Sequence, residues 1–246
     1  MKSIFKLLIP AAMIIAVTGF TFAAPHSSTK TNVSDIVDRH LSGFHAVDVA
    51  GSFDVYITQG ATESVKVEAP ADMMSHIKTE VDNGVLRIYN KNDHFHWGDL
   101  FGHHTKIRVY VAIKEVNAVS VTGSGDAYFK DGLHANSLRL AVSGSGDMTG
   151  RVEAKTLDSD ISGSGDMKLA GHADNSTVSV VGSGDFSARG LTTMSTTVHV
   201  SGSGDASIYA SDRVDASVAG SGDVSYGGHP KSVHKNKSGS GDISGN

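Results

Sequence analysis

Gly144-Ser145-Gly146-Asp147-Met148-Thr149 returns 19 residues later as Gly163-Ser164-Gly165-Asp166-Met167-Lys168. The tetrapeptide Gly-Ser-Gly-Asp occurs seven times, beginning at Gly123, Gly144, Gly163, Gly182, Gly202, Gly220 and Gly239, in steps of 21, 19, 19, 20, 18 and 19 residues. A weaker eighth copy stands at Gly51-Ser52-Phe53-Asp54. Fixed-period self-similarity of this length is the signature of a repeat architecture.

Aligning the copies on their aspartates shows what each unit buries. Five residues before the aspartate stand Val121, Val142, Ile161, Val180, Val200, Val218 and finally Lys237. The residue after it is Ala127, Met148, Met167, Phe186, Ala206, Val224 or Ile243, and the next is mostly small and polar. This alternation is the period of a strand with one face in and one face out. A unit of 19–20 residues has too little apolar surface to form a core alone and must stack on its neighbours. Propeller blades need about 40 residues. The expected fold is therefore all-β: a parallel β-solenoid, about one coil per 19–20-residue repeat. Each coil should hold two or three short strands, with glycines at a corner that requires positive φ. In the last copy Lys235 and Lys237 break the apolar pattern, so residues 233–246 read as a cap that discourages edge pairing.

Ahead of the regular repeats, residues 43–118 are irregular but strand-like, with strands expected over Ala46–Ala50, Phe53–Thr58, Val65–Glu68, Val85–Tyr89 and Lys106–Ile113. Asp82-Asn83-Gly84 is a hairpin signal, and Pro70–Ile77 suits one short helical turn. At the N-terminus, Lys2 and Lys6 precede the apolar run Leu7–Phe22, with Thr21 and Ala23 at the −3 and −1 positions. This predicts a secretory signal peptide over residues 1–23, then a polar leader over 24–42 with a short helix over Ser34–Leu41, then a single solenoid domain over 43–246. The expected address is the periplasm, cell surface or extracellular space, with no integral membrane span in the mature form. Loss of the two lysines takes the net charge from −5 to −7.

Composition narrows the function classes. The chain has 246 residues with 28 glycines, 4 prolines and no cysteine, which excludes a disulfide framework, a thiolate metal site and a cysteine nucleophile. Twenty-one basic against 26 acidic residues give no basic footprint for nucleic acid. Half of the glycines lie in the repeated tetrapeptide.

Phe44-His45-Ala46-Val47-Asp48-Val49-Ala50-Gly51-Ser52-Phe53-Asp54-Val55-Tyr56-Ile57-Thr58-Gln59-Gly60, then Asn83-Gly84-Val85-Leu86-Arg87-Ile88, then the Gly-Ser-Gly-Asp series, resemble the bacterial head GIN domain family of "putative auto-transporter adhesins". The resemblance covers about residues 43–246. It implies an extracytoplasmic β-helical protein without established enzymatic activity. A right-handed coil follows from that resemblance and from the usual chirality of parallel connections.

Two clusters are candidates for chemistry. The aspartate column Asp126, Asp147, Asp166, Asp185, Asp205, Asp223 and Asp242 would stack at about 4.8 Å, where neighbouring charges repel by about 0.9 kcal/mol even in water. Fanning into solvent, hydrogen bonds to the turn amides, or a calcium ladder would relieve this. One carboxylate per coil is a thin set for an ion that takes six to eight oxygens, so a structural role, each aspartate capping its own turn, comes first. The second cluster is Asp93-His94-Phe95-His96-Trp97, Asp99 and His103-His104, with four of the 13 histidines within 11 residues. His94, His96, His103 and His104 are of the right type for zinc or another transition metal, but an exposed loop between the strands near Asn90 and Lys106 comes first, because nothing fixes where His103 and His104 return. With Phe95, Trp97 and Phe101 it also has the makings of a binding loop.

No Gly-x-Ser-x-Gly elbow or Gly-Lys-Ser/Thr phosphate loop occurs. An active site needs one unique constellation, whereas the acids here come in seven equivalent copies. The expected function is non-enzymatic binding, adhesion or structure at the cell envelope, with an envelope protein or a glycan as partner. The alternatives are a carbohydrate-active enzyme on a β-helix and a calcium- or zinc-binding envelope protein.

Overall fold

A computed structural model describes residues 34–91 and 106–246. In chain order the strands are β1 (Ser34–Asp38), β2 (Ala46–Gly51), β3 (Phe53–Gln59), β4 (Ser64–Pro70), β5 (Ile77–Asp82), β6 (Val85–Asn90), β7 (Ile107–Ile113) and β8 (Ala118–Gly123). They continue as β9 (Ala127–Gly144), β10 (Met148–Gly163), β11 (Met167–Gly182), β12 (Phe186–Gly202), β13 (Ala206–Gly220), β14 (Val224–Gly227), β15 (Ser232–Gly239) and β16 (Ile243–Gly245). The expected helical turn is a single 3-10 turn at Met74–His76.

From β8 onward each repeat is one coil of a parallel β-solenoid, lying in register on the next. Ile161 pairs with Val142 on one side and Val180 on the other, and Gly163 with Gly144 and Gly182. The columns read from the sequence are the core: Val121, Val142, Ile161, Val180, Val200 and Val218 are buried, as are Met148, Met167, Phe186 and Val224. Burying each such side chain contributes about 1.5–3 kcal/mol relative to leaving it in water. Where two or three short strands per coil were expected, the backbone ladder runs almost unbroken from Met148 to Gly163 and from Met167 to Gly182. The coil bends without losing its pairing, and the Gly-Ser-Gly-Asp corner is the one interruption it shares with its neighbours.

That corner fixes both glycines. The first adopts φ of +115° to +134° in all seven copies, a region closed to most L-residues. The second is limited by space: a Cβ on Gly165 would overlap the Gly146 carbonyl oxygen of the coil before. The carbonyl of Gly144 accepts from both Ser164 and Gly165 N–H, at 2.8 and 3.0 Å, and this forked bond repeats along the stack.

The N-terminal region shares this core, but its spatial order departs from chain order. β2 lies between β6 and β8, parallel to both, and β3 lies between β7 and the start of β9. The coil made of β2 and β3 is therefore sandwiched between two layers, β6 with β7 and β8 with β9, that both follow it in sequence. Gly51 pairs with Gly123, so Gly51-Ser52-Phe53-Asp54 is a corner of the same stack. Antiparallel strands then close this end: β5 pairs with β6 through the turn at Asn83 and Gly84, both at positive φ, and β4 pairs with β7. The helix expected over Ser34–Leu41 is instead strand β1, antiparallel to β4. A helix that short lacks the hydrogen bonds to offset its nucleation, whereas Ile36 and Val37 suit an added edge strand.

At the other end, β15 lies on β13 and β16 on β14. Lys235 and Lys237 occupy positions that carry apolar residues in earlier coils. Their ammonium groups donate to the carbonyls of Ile243 (2.8 Å) and Gly241 (3.3 Å), and Lys235 lies 5.0 Å over the Tyr226 ring. Cations thus cover the terminal coil where another layer would otherwise stack.

Candidate functional site

The structure places all seven repeat aspartates in one column at the corner and shows how their charge is accommodated. Asp147 N–H donates to Asp126 Oδ1 at 2.9 Å, Asp166 N–H to Asp147 Oδ1 at 2.9 Å, and Asp185 N–H to Asp166 Oδ1 at 2.8 Å. The series continues through Asp205, Asp223 and Asp242, each at 2.8 Å. The carboxylate therefore serves the following coil rather than its own turn, a correction with a simple cause. The glycine carbonyl of the coil before is already taken by two N–H groups, so the aspartate N–H finds no backbone acceptor there. In return, the residue after each aspartate donates to the next aspartate's carbonyl, as Met148 does to Asp166 at 2.9 Å. Charge-assisted bonds of this kind contribute about 1.5–3 kcal/mol, enough to offset the repulsion between neighbours. The last carboxylate, Asp242, has Lys237 at 3.8 Å.

His94, His96, His103 and His104 lie outside the described residues. Among the described residues, no three histidine, aspartate or glutamate side chains gather as a metal ion would require.

Two features of the outward face were missed in the sequence. Tyr110, Tyr56 and Tyr128 stack across β7, β3 and β9, with ring centroids 5.4 and 5.1 Å apart. Their outer members are tethered: Tyr110 donates to Glu68 at 2.8 Å and Tyr128 to Asp126 at 2.9 Å. Burial, then the hydrogen bond and charge of Asp126, push the Tyr128 hydroxyl well above the ordinary tyrosine range. For Tyr110 the hydrogen bond to Glu68 is the larger cause of an upward shift.

The same outward column continues from Tyr128 to Thr149, Lys168, Ser187 and Ser207 in successive coils. There a groove of about 490 Å³ opens, bordered by Lys130, Arg151, Lys168 and Arg189 with no acidic lining residue. Its shape comes from the repeat's irregularities. Between the pairs Gly150–Phe129 and Val152–Leu133, β10 has one residue and β9 has three, Lys130 to Gly132. Between Lys168–Ser187 and Ala170–Gly190, β11 has one residue and β12 has two, Ala188 and Arg189. The extra residues bulge at the groove's two ends, and the shorter coils β10 and β11 form its floor. Bulges of this kind re-aim side chains and gather near functional sites. The signal was present in the sequence, because the repeat steps of 21 and 20 residues belong to the two bulged coils.

A parallel solenoid with one corner motif and one irregular, charged outer groove defines a class of repetitive β-scaffold built around its surface. The chain belongs to the family described as "Putative auto-transporter adhesin, head GIN domain", whose profile matches residues 43–230. A "putative adhesin" from Bacteroides fragilis superposes with a TM-score of 0.80 at 22% identity, over 87% of this chain and 97% of its own. A "putative adhesin" from Parabacteroides distasonis gives 0.67 at 25% identity, over 87% and 97%. A "putative lipid binding protein" from the same species gives 0.69 at 21% identity, over 88% and 98%. These likenesses establish the fold. No curated protein matches the sequence. Among the described residues no helix is long and apolar enough to cross a membrane.

Proposed function

We propose that this protein is a non-enzymatic, extracytoplasmic binding protein of the adhesion type, which presents a rigid β-helical face to a partner at the cell envelope. The observation that carries this reading is the aspartate ladder. Its seven acids are equivalent candidates for acid–base chemistry, and six of the seven accept a backbone N–H from the next coil. Groups held identically in tandem serve architecture, whereas catalysis relies on one acid whose surroundings differ from the rest. The adhesin description of the family supports the same reading, as does the signal-peptide pattern of residues 1–23. A solenoid suits this work because its long regular faces make extended binding surfaces.

The test pairs two readouts on one panel of polysaccharides: retention of the protein on the polymer, and release of new reducing ends. Retention without release is expected. Release that depends on one aspartate would show an enzyme and contradict the reading.

A further inference from the structure

We propose that the groove over β9–β12 binds an acidic polysaccharide, an assignment that rests on the binding reading above and gives it a ligand class. Lys130, Arg151, Lys168 and Arg189 belong to four successive coils, one cation in each. At about 4.8 Å per coil the four coils span about 14 Å, and the cations alternate across the groove, since Arg151 pairs with Ala170 while Lys168 pairs with Thr149 two residues back. Among the described residues, Lys130, Arg151 and Lys168 have no ion pair and no side-chain hydrogen bond within the protein, although the chain carries more acids than bases. Several bases elsewhere are paired within the protein: Arg108 with Glu68, Arg139 with Asp160, Arg213 with Asp215, and Lys231 with Asp212. Arg189 is held in place by Ser225 at 2.8 Å and by the Asn246 side-chain oxygen.

Spacing selects the ligand. Duplex nucleic acid carries one charge per about 1.7 Å, far denser than one cation per ~4.8 Å. The aspartate column beside the groove would repel that excess charge. A linear glycan with one acidic group per sugar carries charge at a spacing close to the coil rise. A lone lipid headgroup would engage only part of a four-cation row. The remaining lining suits sugar as well. Thr149, Ser187 and Ser207 offer hydroxyls along the row, and the small Gly150 and Ala170 leave a shallow apolar floor beside Leu169. Gly150 is required there, because a Cβ would collide with the buried Phe129 ring. Arginine and lysine paired with carboxylates across a partly open groove give an affinity that falls as salt rises.

The full chain is titrated with polygalacturonate, with neutral dextran, and with phosphatidylglycerol vesicles. It is compared with the double variant Arg151→Glu/Lys168→Glu and with a control, Lys66→Glu/Lys78→Glu, whose lysines lie on β4 and β5. Unchanged circular dichroism verifies the fold of each variant. The expected result is binding of polygalacturonate, weakened about tenfold or more by the groove variant and unaltered by the control. Equal polygalacturonate affinity in the groove variant, no polygalacturonate binding, preference for dextran, or binding to vesicles alone would each overturn the proposal while leaving a binding role intact. Cleavage of the polymer would instead overturn the non-enzymatic reading itself.

Discussion

Asp166 shows how much one residue of the repeat does. Its Oδ1 accepts the Asp185 N–H, and its own N–H donates to Asp147. Replacing it with alanine strands a corner donor that has no backbone acceptor, and should destabilise the protein by about 1–3 kcal/mol in chemical denaturation. Asp166→Asn keeps an acceptor oxygen in place and removes one charge from the column, so it should cost less than half as much. If the ladder is structural, thermal unfolding midpoints in EDTA and in calcium coincide; a ligand of the folded state alone would raise the midpoint by mass action. A calcium-dependent rise abolished by Asp166→Asn would show an ion ladder. The column itself was legible from spacing. The partner of each carboxylate was not, because it depends on which carbonyl the forked glycine bonds have already used.

At the level of elements, the two ends of the solenoid and the tyrosine stack behave in predictable ways. On β9, Tyr128 donates to Asp126 with its ionisation pushed upward, and Tyr110 on β7 does the same toward Glu68. A raised folded-state value means that the folded protein holds these protons more tightly than the unfolded chain, which releases them near pH 10. Their stabilising contribution is complete below about pH 10 and is lost as pH rises above it. The unfolding midpoint should therefore fall across that window, and Tyr128→Phe should make the fall shallower; an identical slope in the variant would contradict this. At the far end, Lys235→Val with Lys237→Val would replace two carbonyl-bonded cations with apolar residues on an open coil. Concentration-dependent association by light scattering is expected, and a strictly unchanged mass would show that the lysines do not guard this edge.

Across the whole molecule, what the sequence revealed and what it hid divide along physical lines. Inward columns and corner glycines were readable because they repeat with the period of the chain. Strand existence in the N-terminal region was readable too, but the placement of β2 between β6 and β8 was not. Alternation says that a strand has an inner face without saying which neighbour it takes. The β1 segment was mistaken for helix because five exposed residues carry no periodic signal. The groove was visible only as departures from the 19-residue step, which look like noise until the register shows that they fall on one face. On the proposed reading the molecule divides into a corner column that builds the solenoid and a bulged outer face that meets the ligand. The most direct test is the polygalacturonate affinity of Asp166→Asn beside the wild-type chain, in EDTA and with reducing ends monitored. The division predicts affinity retained or slightly raised, since a negative charge near the groove is lost, with no cleavage. Loss of binding on removing that one aspartate would place the ladder in the site and contradict the account.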